Sequence, residues 1–197
     1  MNILVWVAVV VILVTSVGLL IARDWRLSIT FLAAQYLAMF ILLLPHLPLG
    51  MASVKVVTGW MCSAILGMTR SDLRENDSEE NLWPRGRLFS LFAAGMVVLI
   101  VAGATPSINN IMADAGAAVT AGGLLLAGLG LLHLGITAQI LRVTQGLLTV
   151  IAGFEIIYSS VETSALVVAL LVVINLGLAL VGSYLMIASQ HREPEAL

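Results

Sequence analysis

Seven long apolar runs constrain the fold of this chain more than any other feature of the sequence. A helix needs about 20 mostly apolar residues to cross a bilayer, and each run comes close to that length. The runs cover residues 1–22, 27–44, 52–69, 88–104, 115–137, 143–161 and 164–189. They predict an all-α fold, a multi-pass transmembrane bundle with seven spans.

The composition excludes several other classes of protein. Only 10% of the 197 residues are charged and 60% are hydrophobic, whereas a soluble domain carries about a quarter charged residues. This excludes a water-soluble globule and a disordered chain. The net charge of -2 offers no basic face for nucleic acid. The single cysteine, Cys62, excludes an intramolecular disulfide framework and any multi-cysteine metal site.

The positions of the arginines predict the orientation of the spans. All eight follow an odd-numbered apolar run, and the connections after even-numbered runs hold neither lysine nor arginine. The arginines are Arg23, Arg26, Arg70, Arg74, Arg85, Arg87, Arg142 and Arg192. Because positive residues collect in cytoplasmic loops, the N-terminus is expected outside and the C-terminus in the cytoplasm. The expected location is the cell inner (plasma) membrane.

One sizeable polar segment, residues 70–87, divides the chain into two predicted parts. It holds four of the arginines and five acidic residues. Residues 1–69 form a predicted three-helix half, and residues 88–197 form a predicted four-helix half. The segment itself is expected in the cytoplasm, either as a solvated linker or as a docking site for a cytoplasmic subunit.

Small residues crowd the fifth run, where Gly123, Ala127 and Gly128 are candidates for close helix packing. Lipid provides no hydrophobic force between helices, so small residues that let backbones approach are used instead. The sequence contains no GxSxG, HExxH or CxxC motif and no complete nucleotide-binding glycine motif. No catalytic residue, metal ligand or cofactor is therefore predicted.

Three ionisable side chains lie within the apolar runs: Lys55, His133 and Glu155. An ionised group in hydrocarbon costs several kcal/mol, so such residues usually face a protein interior or a wet cavity. Glu155 lies too deep to reach the cytoplasmic interface and suits proton exchange near neutral pH. The alternative role for Glu155 is that of a protonated hydrogen-bonding group between helices.

The other two residues have alternatives of their own. His133 is a candidate proton relay to Glu155, or else a neutral imidazole bonded to a backbone carbonyl. Lys55 is a candidate charge partner on the same path, or else its stem extends to the outer interface. The polar residues Gln35, Tyr36 and Asn175 are candidates for lining the same interior.

A short motif in the sixth run resembles a known membrane subunit. The sequence Gly153-Phe-Glu-Ile is similar to the glutamate-bearing helix of the small K, or 4L, subunit of respiratory complex I. The similar region extends over about residues 115–189. By this resemblance Glu155 corresponds to the first membrane glutamate of that family, while the second glutamate falls on Val173.

Nearly the whole chain resembles a longer relative of that subunit, component E of hydrogenase-4 type complexes. The resemblance rests on Arg26-Leu-Ser followed by Gln35, and on Lys55-Val in the third run. Mrp-type antiporter complexes contain a small membrane subunit that is similar to the K subunit too, and that assignment stays open.

These resemblances imply a membrane subunit of a complex I or hydrogenase-4 type assembly. Such a subunit is not catalytic alone. It contributes to a mid-membrane proton-translocation path and packs between antiporter-like subunits, while any redox centres belong to partners such as a cytoplasmic redox module. Two alternatives stay open beside the Mrp-type antiporter subunit: a purely structural membrane scaffold and a small independent transporter.

Overall fold

A computed structural model describes residues 2–73, 84–111 and 116–190, and the ordered elements in these ranges are all helices. The seven helices are α1 Asn2–Ile21, α2 Trp25–Leu43, α3 Leu49–Asp72, α4 Pro84–Ile111, α5 Ala117–Ile136, α6 Ile140–Ser159 and α7 Ala165–Gln190. Each is long and apolar enough to cross a membrane. The predicted all-α class and seven apolar helices are confirmed, and they indicate a multi-pass membrane protein.

The largest difference from the predicted spans is in α4. The prediction ended this span at residue 104 because Pro106 follows, but the helix continues through Pro106 to Ile111. A proline removes one backbone hydrogen bond, and transmembrane helices tolerate this loss when neighbouring groups compensate. Thr105, beside the proline, donates its hydroxyl to the Val101 carbonyl at 2.6 Å, whereas the carbonyl that loses its backbone donor at Pro106 is that of Ala102.

The helices also extend into the predicted polar segment 70–87. Helix α3 runs to Asp72, and α4 begins at Pro84, where a proline is well accommodated in the first helical turn. Residues 74–83, which carry most of the acidic residues of the segment, lie outside the described residues. Arg192 lies outside them as well.

Helices α2, α5 and α6 are the most buried helices of the bundle. Helix α2 packs against α1, α3, α5 and α6, and α6 packs against α5, α7 and α2. Helices α1 and α5 contact each other, as do α3 and α7. Helices from both sides of the segment 70–87 therefore share one core. Helix α4 lies at the edge, against α5 and α1.

The closest approach of two backbones is between α5 and α6. A Cβ atom at Gly153 would lie 2.5 Å from the Ala127 backbone nitrogen, and one at Gly123 would lie 2.6 Å from Ile157 Cγ1. Gly128 faces α4 instead, with Val97 Cγ1 at 2.8 Å from its added Cβ. The three small residues singled out in the fifth run thus lie at two helix interfaces. Their contacts fix α6 against α5, and so fix the direction of the polar side chains of α6.

Candidate functional site

Lys55 and Glu155 meet in the interior of the bundle. Lys55 Nζ on α3 lies 2.9 Å from Glu155 Oε1 on α6, and the two side chains are 3% and 1% exposed. The sequence analysis gave two possibilities for Lys55: a charge partner on the same path as Glu155, or a side chain that extends to the outer interface. The structure brings the two together as a buried ion pair.

A third helix contributes the polar group that completes this site. Asn175 on α7 donates from Nδ2 to Glu155 Oε1 at 2.8 Å. The thiol of Cys62, on α3, donates to the backbone carbonyl of Asn175 at 3.4 Å. We call Lys55, Glu155 and Asn175 the charged cluster. The second carboxylate oxygen, Glu155 Oε2, has no hydrogen-bond partner among the described residues.

Tyr36 lies against α3 close to the charged cluster. Its ring packs on Gly59, one helical turn beyond Lys55, and a Cβ atom at Gly59 would overlap that ring. Tyr36 is fully buried. Glycine is therefore the residue that lets the phenol ring lie directly on the α3 backbone. The sequence analysis did not single out Gly59.

A second group of polar residues lies between α1, α2 and α6. We call it the amide network, and its members are Ser16, Ser28, Gln35, Gln145 and Thr149. Gln35 Nε2 donates to Thr149 Oγ1 at 3.3 Å, and Ser16 donates to Gln35 Oε1 at 3.5 Å. Ser28 donates to Gln145 Oε1. All five residues are buried and none is charged at neutral pH.

The charged cluster and the amide network are separate. Thr149 and Glu155 are six residues apart on α6, which corresponds to about 9 Å along the helix. The buried side chain of Ala152 lies between them. No hydrogen bond joins the two groups within the described parts of the chain.

His133 lies away from Glu155. Its neighbour Leu134 packs against Gly146, with 2.9 Å between Leu134 Cδ2 and a Cβ added at Gly146. Gly146 precedes Glu155 by nine residues, or about 14 Å along α6. His133 is buried, and neither ring nitrogen has a hydrogen-bond partner in the described ranges. The structure therefore places it outside the charged cluster.

Most members of the amide network were missed as site residues by sequence reasoning, although a signal was present. Gln145 and Thr149 are four residues apart, and Ser28 and Gln35 are seven apart. These spacings put each pair on one face of a helix. A search for polar residues at helical spacing would have found them, whereas Gly59 has no comparable signal.

The arrangement of the charged cluster suits the binding and release of a proton. A carboxylate paired with one ammonium group retains a second oxygen that can accept a proton, and the amide of Asn175 holds the carboxyl group in place. Among the described residues, no group of three or more histidine, cysteine or acidic side chains could hold a metal ion. Comparison of the chain with protein-family models, with curated proteins and with solved structures finds no match.

Proposed function

We propose that this chain is a membrane subunit of a complex I or hydrogenase-4 type assembly, in which Glu155 and Lys55 carry part of a proton path through the bilayer. The observation that supports this most is the buried ion pair at 2.9 Å, held by Asn175. In the proposed assembly the chain also packs between antiporter-like subunits.

The energetics of the pair favour a role beyond packing. Removing two charges from water costs several kcal/mol per ion, and replacing a buried pair by apolar residues is often neutral or stabilising. Ionisable residues inside a membrane span are, for that reason, usually functional. The bundle contains ample apolar packing around the site, including the fully buried Leu43 and Ile156.

In this proposal each residue of the cluster has a role in proton transfer. A proton that arrives at Glu155 Oε2 neutralises the carboxylate and leaves the Lys55 ammonium without its counter-charge. Lys55 is then driven to release a proton, or to separate from Glu155. Asn175 Nδ2 donates to Oε1 whether the carboxyl group is ionised or protonated, so it keeps the side chain oriented through the cycle.

The resemblances add independent support. Glu155 comes from the motif Gly153-Phe-Glu-Ile and Lys55 from the motif Lys-Val, and these motifs are about one hundred residues apart in the sequence. The ionisable residues of these two motifs are the two that pair. In this proposal the arginine-bearing loops face the cytoplasm, the membrane is the plasma membrane, and any redox centre belongs to a partner subunit.

The proton path is tested by proton flux in liposomes. The chain, together with the membrane subunits that co-purify with it, is reconstituted with a pH-sensitive dye inside, and a potassium diffusion potential drives proton entry. We expect Glu155→Gln to lower the flux by about ten-fold or more, because general acid–base groups typically contribute at least that factor. Asp72→Asn, the same chemical change at the exposed end of α3, is the control and should retain the flux.

Two results would contradict the proposal. Wild-type flux in Glu155→Gln would leave the chain as a purely structural scaffold. Purification in mild detergent tests membership of an assembly: antiporter-like polypeptides should accompany the chain. Recovery of the chain alone, or as a homo-oligomer, would favour a small independent transporter.

A further inference from the structure

A narrow cleft leads from the charged cluster to one end of the bundle. It is lined by Lys55 and Glu155 at its inner end and by Ser159, Glu162 and Ser164 towards the loop between α6 and α7. Its cavity volume is about 10 Å³, close to the smallest space that holds one water molecule. The cleft therefore has room for about one water molecule or an ion of that size at a time, and it is too small for an organic substrate.

The position of the cluster along α6 makes this end the near one. Glu155 is four residues before the end of α6 at Ser159, which corresponds to about 6 Å. It is fifteen residues from the beginning of the helix at Ile140, or about 22 Å. The path from the loop to the carboxylate is short, and the path from the opposite face is long.

The cleft is closed beyond the charged cluster. Ala152, one turn back along α6, is buried, and so are Leu148 and the Tyr36 ring. The amide network lies further in and makes no hydrogen bond to the cluster within the described residues. Water that enters by the cleft therefore ends its path at the Lys55–Glu155 pair.

The charges of the lining favour a cation. Glu155 is compensated by Lys55 at 2.9 Å, whereas Glu162 is exposed in the loop at the mouth. The lining thus carries one carboxylate in excess of its single lysine. A negative charge at the mouth of a low-dielectric cleft raises the local concentration of cations.

We infer that this cleft is a one-sided entrance for a small monovalent cation, the hydrated proton, that opens at the α6–α7 loop and ends on Glu155 Oε2. Glu162 gathers the cation at the mouth. The inference rests on the proposed function for its purpose, because it gives the side from which the proton reaches Glu155. Access to the cleft is nevertheless measurable without any transport.

Two neighbouring leucines on α7 provide a matched pair for this measurement. Leu171 lines the cleft and is 9% exposed, whereas Leu170 is 55% exposed on the outer surface of the bundle. Both lie about 8–9 Å from the beginning of α7. A thiol at residue 171 should therefore meet water and ions, and a thiol at residue 170 should meet lipid.

The probe is the silver ion, a monovalent cation that reacts with thiols. Each cysteine variant is made in a Cys62→Ser background, which retains a donor to the Asn175 carbonyl, and is embedded in sealed vesicles of known orientation. After brief exposure to silver nitrate, the protein is denatured and its unreacted thiols are labelled with a maleimide that shifts the band on a gel. Thr163→Cys in the α6–α7 loop and Ser71→Cys at the far end of α3 mark the two faces.

We expect Leu171→Cys to react with silver from the face marked by Thr163→Cys, and at least ten-fold faster than Leu170→Cys. Glu162→Gln should slow the reaction of Leu171→Cys about three-fold, the effect of one unit charge at about 6 Å in water. Replacing choline by sodium at constant ionic strength should leave the rate unchanged. Protection by sodium would overturn the assignment to the proton.

Two further results would overturn the inference: equal rates for Leu171→Cys and Leu170→Cys, or reaction of Leu171→Cys from the face marked by Ser71→Cys. These failures are distinct from failure of the proposed function. If Glu155→Gln loses proton flux but silver does not reach Leu171→Cys, only the inferred entrance is contradicted. If silver reaches Leu171→Cys but Glu155→Gln keeps the wild-type proton flux, only the proposed proton path is contradicted.

Discussion

The two polar groups in this bundle share one helix, α6, and accommodate buried polar side chains in different ways. The amide network joins neutral amides and hydroxyls by mutual hydrogen bonds, such as Gln35 to Thr149, although Gln145 Nε2 has no partner among the described residues. The charged cluster pairs a carboxylate with an ammonium group. One carboxylate oxygen has no hydrogen-bond partner among the described residues. The amide network suits a role in holding the helices in register, and the charged cluster suits a change of protonation state.

Their energetics differ accordingly. Hydrogen bonds between transmembrane helices contribute about 0.6 kcal/mol on average, because the separated helices find other partners. Truncating one member of a buried ion pair costs about 3–5 kcal/mol, because the other charge is left without compensation. A side chain of the charged cluster should therefore be far more sensitive to substitution than one of the amide network.

The largest expected effect is that of Lys55→Met. In this variant Glu155 is either ionised without a counter-charge or protonated. At pH 9 both states cost free energy, because the second must take up a proton from a solution that contains few. We expect a destabilisation of about 3–5 kcal/mol at pH 9 and a smaller one at pH 5, where protons are abundant. Unfolding of the detergent-solubilised chain by sodium dodecyl sulfate, followed by circular dichroism, measures it.

The double variant Lys55→Met/Glu155→Gln is the control for that measurement. It removes both charges and keeps an acceptor for the Asn175 amide, so its stability should return to within about 1 kcal/mol of the wild type. A double variant as unstable as Lys55→Met alone would show that packing, rather than the orphaned charge, determines the loss. The contrast between the two polar groups would then fail.

A smaller effect is expected where Tyr36 rests on α3. Gly59→Ala places a methyl group inside the space of the Tyr36 ring, so the ring or the helix must move, at a cost of about 1–3 kcal/mol. Gly67→Ala, two turns further along α3, meets only the flexible end of Ile29 at 3.3 Å. It should cost well under 1 kcal/mol by comparison. Equal stability of the two variants in the same unfolding assay would contradict the tight contact.

The spans could be predicted because bilayer thickness and backbone hydrogen bonding leave few choices for an apolar run of this length. The pairing of Glu155 with Lys55 could not be predicted from the sequence. When the lipid-facing and protein-facing sides of a helix are both apolar, hydrophobic periodicity does not determine rotation, and it is rotation that decides whether Lys55 faces Glu155. Because helix rotation and packing were undetermined, the sequence also allowed a proton relay from His133 to Glu155. The packing of α5 against α6 places these two residues about 14 Å apart along the helix axis.

A double-mutant cycle sharpens the comparison from the side of the amide network. Gln35→Met removes the donor to Thr149, and Thr149→Val removes the acceptor. We expect a coupling free energy of about 0.6 kcal/mol between the two sites. Proton flux in the reconstituted complex should equal that of the wild type in both single variants. A fall in flux comparable with that of Glu155→Gln would mean that the network continues the proton path, and the division of roles would be wrong.

The smallest effect is expected for His133→Leu. Both imidazole nitrogens are buried and have no hydrogen-bond partner in the described ranges, so the native side chain already carries the cost of desolvation. Leucine removes these polar atoms at similar volume, and stability should change by less than about 1 kcal/mol. The proton flux should be unchanged, because the cleft reaches Glu155 from the opposite end of α6. A marked loss of flux with normal stability would require protons to cross the apolar layer at Ala152, and would place His133 and the charged cluster on one path.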